Sequence, residues 1–114
     1  MKRAGDVVVF RFPNSNFSKS KSRPAILLKK LPYGFDDWLI CMVTTQLDLC
    51  IDGFDEVIKT ESDDFTQSGL LSTSGIRITR LAVVEGQILV GKIGEISSQR
   101  LNRIKQNLST WFNE

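Results

Sequence analysis

A chain of 114 residues, 41% apolar and 25% charged, with 8 glycines and only 3 prolines, has the composition of one compact soluble domain and excludes a disordered tail or a collagen-like repeat. It holds no histidine and two cysteines, Cys41 and Cys50, which removes imidazole-dependent nucleophile systems and a four-ligand zinc site, so neither metal nor cofactor is expected. The net charge of +2 hides opposed blocks: eight bases against Asp6 alone give +7 over residues 1 to 30, one against nine gives −8 over 31 to 75, and six against three gives +3 over 76 to 114. Such segregation suits a phosphate-backbone partner, or else two solvated surfaces.

Asp6 and Arg11 interrupt the apolar run Val7 to Phe10, so no signal peptide can be built there. No apolar stretch approaches the roughly 18 residues of a membrane helix. A cytoplasmic protein with reduced thiols is expected.

Taken in order, Asp6 to Phe12 predicts a first strand after a Gly5-Asp6 turn. Pro13 to Ser22 is a polar run carrying Lys19 and Lys21, too long for a tight hairpin and expected as a binding loop. Arg23-Pro24 opens a second strand through Leu28, with proline at the strand start, and Lys29 to Gly34 forms a turn. Asp37 to Thr45 is a third strand, nearly all apolar from Trp38 to Val43 and so central and covered on both faces.

Leu47 to Gly53 is a loop, Phe54 to Lys59 a short strand, and Glu61-Ser62-Asp63-Asp64 a surface turn or helical turn. Leu70 to Ser72, Gly75 to Leu81 and Gln87 to Ile93 predict further short strands. Gly86 to Ile93 matches the first seven positions of a phosphate-binding loop but lacks the hydroxyl at the eighth; Gly91 and Gly94 are better read as bulge or turn glycines. Ser97 or Ser98 caps a terminal helix in which Leu101, Ile104, Leu108, Trp111 and Phe112 form one apolar stripe. Closely spaced strands without a crossover helix predict a mainly β fold, a small SH3-like barrel with a C-terminal helix (α+β in looser terms), as one domain over residues 1 to 114.

Arg23 stands where the lysine-bearing loop meets the second strand, Thr44-Thr45-Gln46 ends the third with three hydrogen-bonding side chains, and Ser74-Gly75-Ile76-Arg77-Ile78-Thr79 places another arginine on a strand. Each alone is an ordinary surface feature, but their order is specific. Gly5-Asp6-Val7-Val8-Val9-Phe10, Arg23-Pro24-Ala25-Ile26-Leu27-Leu28, Val43-Thr44-Thr45-Gln46, Ser74-Gly75-Ile76-Arg77 and Gly91-Lys92-Ile93-Gly94-Glu95-Ile96-Ser97 before a helix resemble the MazF/PemK family of bacterial toxins, from Gly5 to about Phe112.

The resemblance implies a barrel of the CcdB/PemK type, usually a homodimer, that cleaves single-stranded RNA without a metal and is neutralised by a cognate antitoxin with an acidic tail. It implies catalytic roles for Arg23, Thr44 and Arg77, and RNA contacts by Phe17, Lys19, Lys21, Thr45, Gln46, Thr79 and Arg80. Phe17 would stack on an unpaired base while Lys19 and Lys21 hold phosphates. The PemK branch has an aspartate as general base where this chain has Thr79, so the base is unassigned and the Arg-and-Thr arrangement of the MazF branch is nearer. Two alternatives remain. One is a gyrase-poisoning toxin acting through the helix end Trp111-Phe112-Asn113-Glu114, against which both aromatics are expected in the core; the other is a non-catalytic binding barrel.

Overall fold

The computed structural model describes residues 1–13 and 20–114. Segments rich in β-branched and aromatic residues are extended: β1 (Asp6–Pro13), β2 (Ser20–Lys30), β3 (Asp37–Thr44), β4 (Glu56–Ile58), β5 (Ser74–Glu85) and β6 (Leu89–Glu95). A one-turn helix, α1 (Phe65–Ser68), precedes β5, and the long helix α2 (Ser98–Phe112) follows β6. The strands form one sheet in the order β4-β5-β3-β2-β1-β6, antiparallel throughout.

Strands β5 and β6 are joined by only Gly86–Ile88, yet β3, β2 and β1 lie between them in the sheet. In a flat sheet their axes would stand about 19 Å apart, and the four Cα–Cα steps from Glu85 to Leu89 reach at most about 15 Å. The sheet therefore curls toward a barrel, although no ladder joins its edges β4 and β6 among the described residues. This matches the expected mainly β, SH3-like fold with a C-terminal helix.

The curl buries both faces. On one, Val7, Ile26, Cys41, Val43, Ile76 and Ile78 meet Ile96, Ile104 and Leu108 of the helix segment. On the other, Val8, Phe10, Ala25, Leu27, Trp38 and Ile40 form a smaller core that the curl itself encloses. β3 contributes to both, as its apolar run predicts.

Several expected boundaries shift. Pro13 pairs with Ser20, Phe12 with Lys21 and Arg11 with Ser22, so the two strands extend into the expected loop and β2 begins three residues before Arg23. Pairing to β1 overrides the polar composition there. At its other end β2 continues through Lys30 into the expected turn. Pro24 thus lies inside β2, at no cost in hydrogen bonds to β3, because the β3 ladder begins only at Ala25. Leu70 to Ser72 is not a strand: Gly69, at φ 74°, turns the chain, and no neighbouring strand pairs with the segment, which leaves Leu71 exposed. Gly86–Ile88 is a 3-10 turn, so the last strand starts at Leu89.

On β6, Ile93 and Val90 are left out of the β1 ladder, giving two bulges beside Gly94 and Gly91. Gly94 also lies against α1, where a Cβ would run into the backbone of Gln67 and Ser68. Gly94→Ala should cost about 1–3 kcal/mol by overpacking, read as a lower urea midpoint.

Ser97 caps α2, its Oγ accepting the Arg100 N–H at 3.1 Å. Arg100, one turn before Ile104, occupies the buried face of the helix. Its Nε and Nη2 donate to the two oxygens of Asp64 at 2.9 and 3.1 Å, and its Nη1 to Glu56 at 2.9 Å. Arg103 also binds Glu56, and Asp64 accepts the Ser97 N–H at 3.0 Å. Asp64, expected on a surface turn or helical turn, stands at the N-cap of α1 and is only 3% exposed. Part of the acidic block thus becomes the anchor of α2.

Trp111 and Phe112, expected in the core, are 43% and 68% exposed. The last buried side chain of α2 is Leu108, and the two aromatic rings instead lie against each other, tilted by 49° with centroids 5.0 Å apart. Among the described residues no helix is long and apolar enough to cross a membrane.

Candidate functional site

The ladder between β2 and β3 ends at Ala25 opposite Met42. Beyond it, Arg23 on β2 and Thr44 on β3 line a cleft of about 410 Å³, together with Met42, Val43, Gln46, Leu49, Arg77 and Arg80. Strand alternation puts Arg23 on the same face as Ala25 and Leu27, and Thr44 with Met42 and Ile40. The cleft thus continues the smaller core outward. Arg77 joins from β5, directly opposite Met42.

Among the described residues, three guanidiniums and no carboxylate line this cleft. Arg77 and Arg80 make no ion pair among the described residues, whereas Lys2, Lys92, Arg100 and Arg103 are committed to Asp36, Asp6, Asp64 and Glu56. The other end of β3 is the reverse: Asp36, Asp37 and Glu85 line a hollow of about 340 Å³. β3 thus has a cationic end, its arginines drawn from both the first and the last block of the chain, and an anionic end lined by Asp36 and Asp37 of the middle block and by Glu85 of the last. At the anionic end the Asp36 carboxyl is held below its usual value by hydrogen bonds from the Lys2 ammonium and the Trp38 indole.

Thr44 Oγ1 accepts the backbone N–H of Gln46 at 3.0 Å. With one lone pair so engaged, its hydroxyl proton is directed elsewhere and is available as a donor. Gly75, paired with Thr44, has no room for a side chain, because Cys50 Sγ occupies the space where its Cβ would be. The loop after β3 thereby closes down on β5 and brings Leu49 to the cleft wall.

Both thiols are shifted away from the thiolate form. Burial, with the Asp55 charge, pushes Cys41 up to about 12. Burial and Asp55 also raise Cys50, against the opposing effect of Arg77. Both are free thiols, and among the described residues no three acidic or thiol side chains converge as metal ligands.

Of the residues singled out in the sequence, Arg23, Thr44, Arg77, Gln46 and Arg80 come together here. Thr45 does not: it lines a separate apolar groove with Val9, Pro24, Leu70 and Ile93. Thr79, half-buried, is absent from the cleft wall. Phe17 and Lys19 lie outside the described residues, as does the side chain of Lys21. Met42 and Leu49 were not anticipated; the strand-end position of Met42, two residues before Thr44, is a signal that alternation could have supplied.

The fold has solved counterparts. An endoribonuclease in complex with its cognate antitoxin from a mycobacterial species aligns over 99% of this chain and 96% of its own, with TM-score 0.67 and 13% identity. Two crystal forms of MazE-MazF from Deinococcus radiodurans align over 98% and 96%, with TM-scores of 0.70 and 0.68 and 16% identity. No curated protein matches the chain in sequence. The family profile described as PemK-like, MazF-like toxin of type II toxin-antitoxin system matches residues 3–112. With nearly the whole length matched and the corresponding fold present, the chain belongs to that family of toxins.

Proposed function

We propose that this toxin cleaves single-stranded RNA by attack of a ribose 2′-hydroxyl on the adjacent phosphate, with Arg23, Thr44 and Arg77 as catalytic residues. The observation that carries this reading is their convergence, from three strands, on one cationic cleft. The 2′-oxygen–phosphorus bond forms as the bond to the 5′-oxygen breaks. One proton leaves the 2′-oxygen and one reaches the 5′-oxygen, giving a 2′,3′-cyclic phosphate and a free 5′-hydroxyl. Charge grows on the non-bridging oxygens, where guanidiniums bind in bidentate fashion, so no metal is required for this step. The Thr44 proton, turned away from Gln46, serves a non-bridging oxygen.

Gln46 and Arg80 contact RNA along the cleft, and Met42 and Leu49 offer an apolar wall to a base. Thr45 and Thr79 contact RNA beside the cleft, and Phe17, Lys19 and Lys21 of the basic segment are further RNA contacts. The cleft's charge also suits the acidic tail of a cognate antitoxin, and the mycobacterial and Deinococcus counterparts are found with antitoxins. In this reading the chain acts in the cytoplasm as a homodimer and halts growth until neutralised. The purified protein should cut a long single-stranded RNA in the presence of EDTA, leaving 2′,3′-cyclic phosphate ends. Absence of cleavage under those conditions overturns the reading.

The exposed Trp111 and Phe112, whose rings lie together at the helix end, favour a second reading, a toxin that docks on a protein target through that end. Truncation after Ser109 separates the two: the ribonuclease tolerates it and the docking toxin does not.

A further inference from the structure

The β5 strand is irregular at the cleft. Arg77 pairs with Met42 and Leu81 with Cys41, neighbours on β3, so Ile78, Thr79 and Arg80 are extra residues in the ladder. In a regular strand residues three apart face opposite sides. The bulge is what brings both Arg77 and Arg80 to one cleft and takes Thr79 out of it.

A bulge leaves backbone groups without ladder partners. The Ile78 N–H, at the start of this one, donates to Asp55 Oδ1 at 3.0 Å. The other oxygen of the same carboxylate accepts the Ile51 N–H at 2.8 Å. Ile51 lies in the loop that carries Leu49, so one carboxylate ties the two walls of the cleft together. Asp55 itself is not among the residues lining the cleft.

We infer that Asp55 is a positioning residue, which holds the β5 bulge and thereby places the Arg77 and Arg80 guanidiniums for a phosphate. This rests on the proposed RNA chemistry for its effect on activity, but its structural content can be tested separately. Misplacement of such groups by about 1 Å costs on the order of 100-fold, so Asp55→Ala should lower kcat/KM for RNA by about 10- to 100-fold. Asp55→Asn, which keeps one acceptor oxygen, should fall between the two.

The test measures these variants in the full chain for cleavage and for affinity toward a 2′-O-methyl RNA oligonucleotide, which has no attacking hydroxyl. The same changes are then made in an Arg77→Ala, Arg80→Ala background, where the Asp55 effect on affinity should vanish because its targets are gone. Side-chain Nε–H NMR signals give a readout independent of RNA: those of Arg77 and Arg80 should move in Asp55→Asn while that of Arg3 stays. Wild-type affinity in the folded variants, an equal loss in the double-arginine background, or unmoved arginine signals would each overturn the assignment. If Asp55→Ala does not fold, Asp55→Asn carries the test alone. If the wild type neither binds nor cuts RNA, the RNA reading fails, and the NMR comparison still decides the role of Asp55.

Discussion

Arg23→Ala is expected to slow RNA cleavage by about 100- to 1,000-fold, the scale on which a single donor to a developing oxyanion acts, with the thermal midpoint nearly unchanged. Arg23 sits where β2 has left the β3 ladder, half-buried on the cleft wall and outside both apolar clusters, so its loss removes charge without opening a core cavity. Arg23→Lys should recover only part of the rate, because an ammonium is a point charge and cannot grip two phosphate oxygens in one plane. Rates on one defined oligonucleotide, with kcat and KM separated, decide the matter. A fall in kcat marks a transition-state contact, whereas a change confined to KM marks uniform binding. Undiminished cleavage by Arg23→Ala would remove this residue from the mechanism. A variant that still arrests growth, while the chain truncated after Ser109 does not, would move the activity to the helix end.

Arg100→Ala should come close to unfolding the protein. Removing one partner of a buried ion pair costs about 3–5 kcal/mol, against a total of about 5–15 kcal/mol for a domain. The reason is what stays behind: Asp64 at 3% exposure and Glu56 largely covered. The pair need not be strongly stabilising in itself, so Arg100→Met combined with Asp64→Asn should restore much of the loss.

Acid should act at the same point. Burial works to raise the Asp64 carboxyl, but hydrogen bonds from Arg100 and from the Ser97 N–H outweigh it, and the net displacement is downward. A carboxyl depressed on folding contributes stability above its unfolded value, about pH 4, and that contribution is lost as pH falls through the folded value. The urea midpoint should therefore drop between neutral pH and about pH 3 more steeply for the wild type than for Asp64→Asn. Parallel curves would show that Asp64 is not the titrating anchor.

The sequence makes β3 legible because an apolar run from Trp38 to Val43 fits a strand covered on both faces and little else. It makes the start of α2 legible through Ser97, and three cleft residues legible through the order in which Arg23-Pro24, Thr44-Thr45-Gln46 and Gly75-Ile76-Arg77 follow one another and the family resemblance that order carries. Local composition misleads where tertiary partners override it. The polar residues Ser20 to Ser22 are extended because β1 pairs with them. Asp64 is buried because an arginine 36 residues away meets it. Trp111 and Phe112 continue the helical stripe, but they lie beyond Leu108, the last side chain of α2 that the sheet covers. The β5 bulge has no marker of its own, since Ile78-Thr79-Arg80 contains neither glycine nor proline. The carboxylate that accepts its first N–H, Asp55, comes from a different strand connection.

The pairing of β1 with β6, Val7 against Gly94, has a consequence for synthesis. β1 waits for β6, the last of the described strands, and the curl that shapes the cleft needs β6 on the far side of β1. A nascent chain that already contains Arg23, Thr44 and Arg77 still lacks the strand that rolls the sheet and the arginine that anchors α2. Because β6 follows Arg23, Thr44 and Arg77 in the chain, the rolled sheet that shapes the cleft forms only after all three have been made.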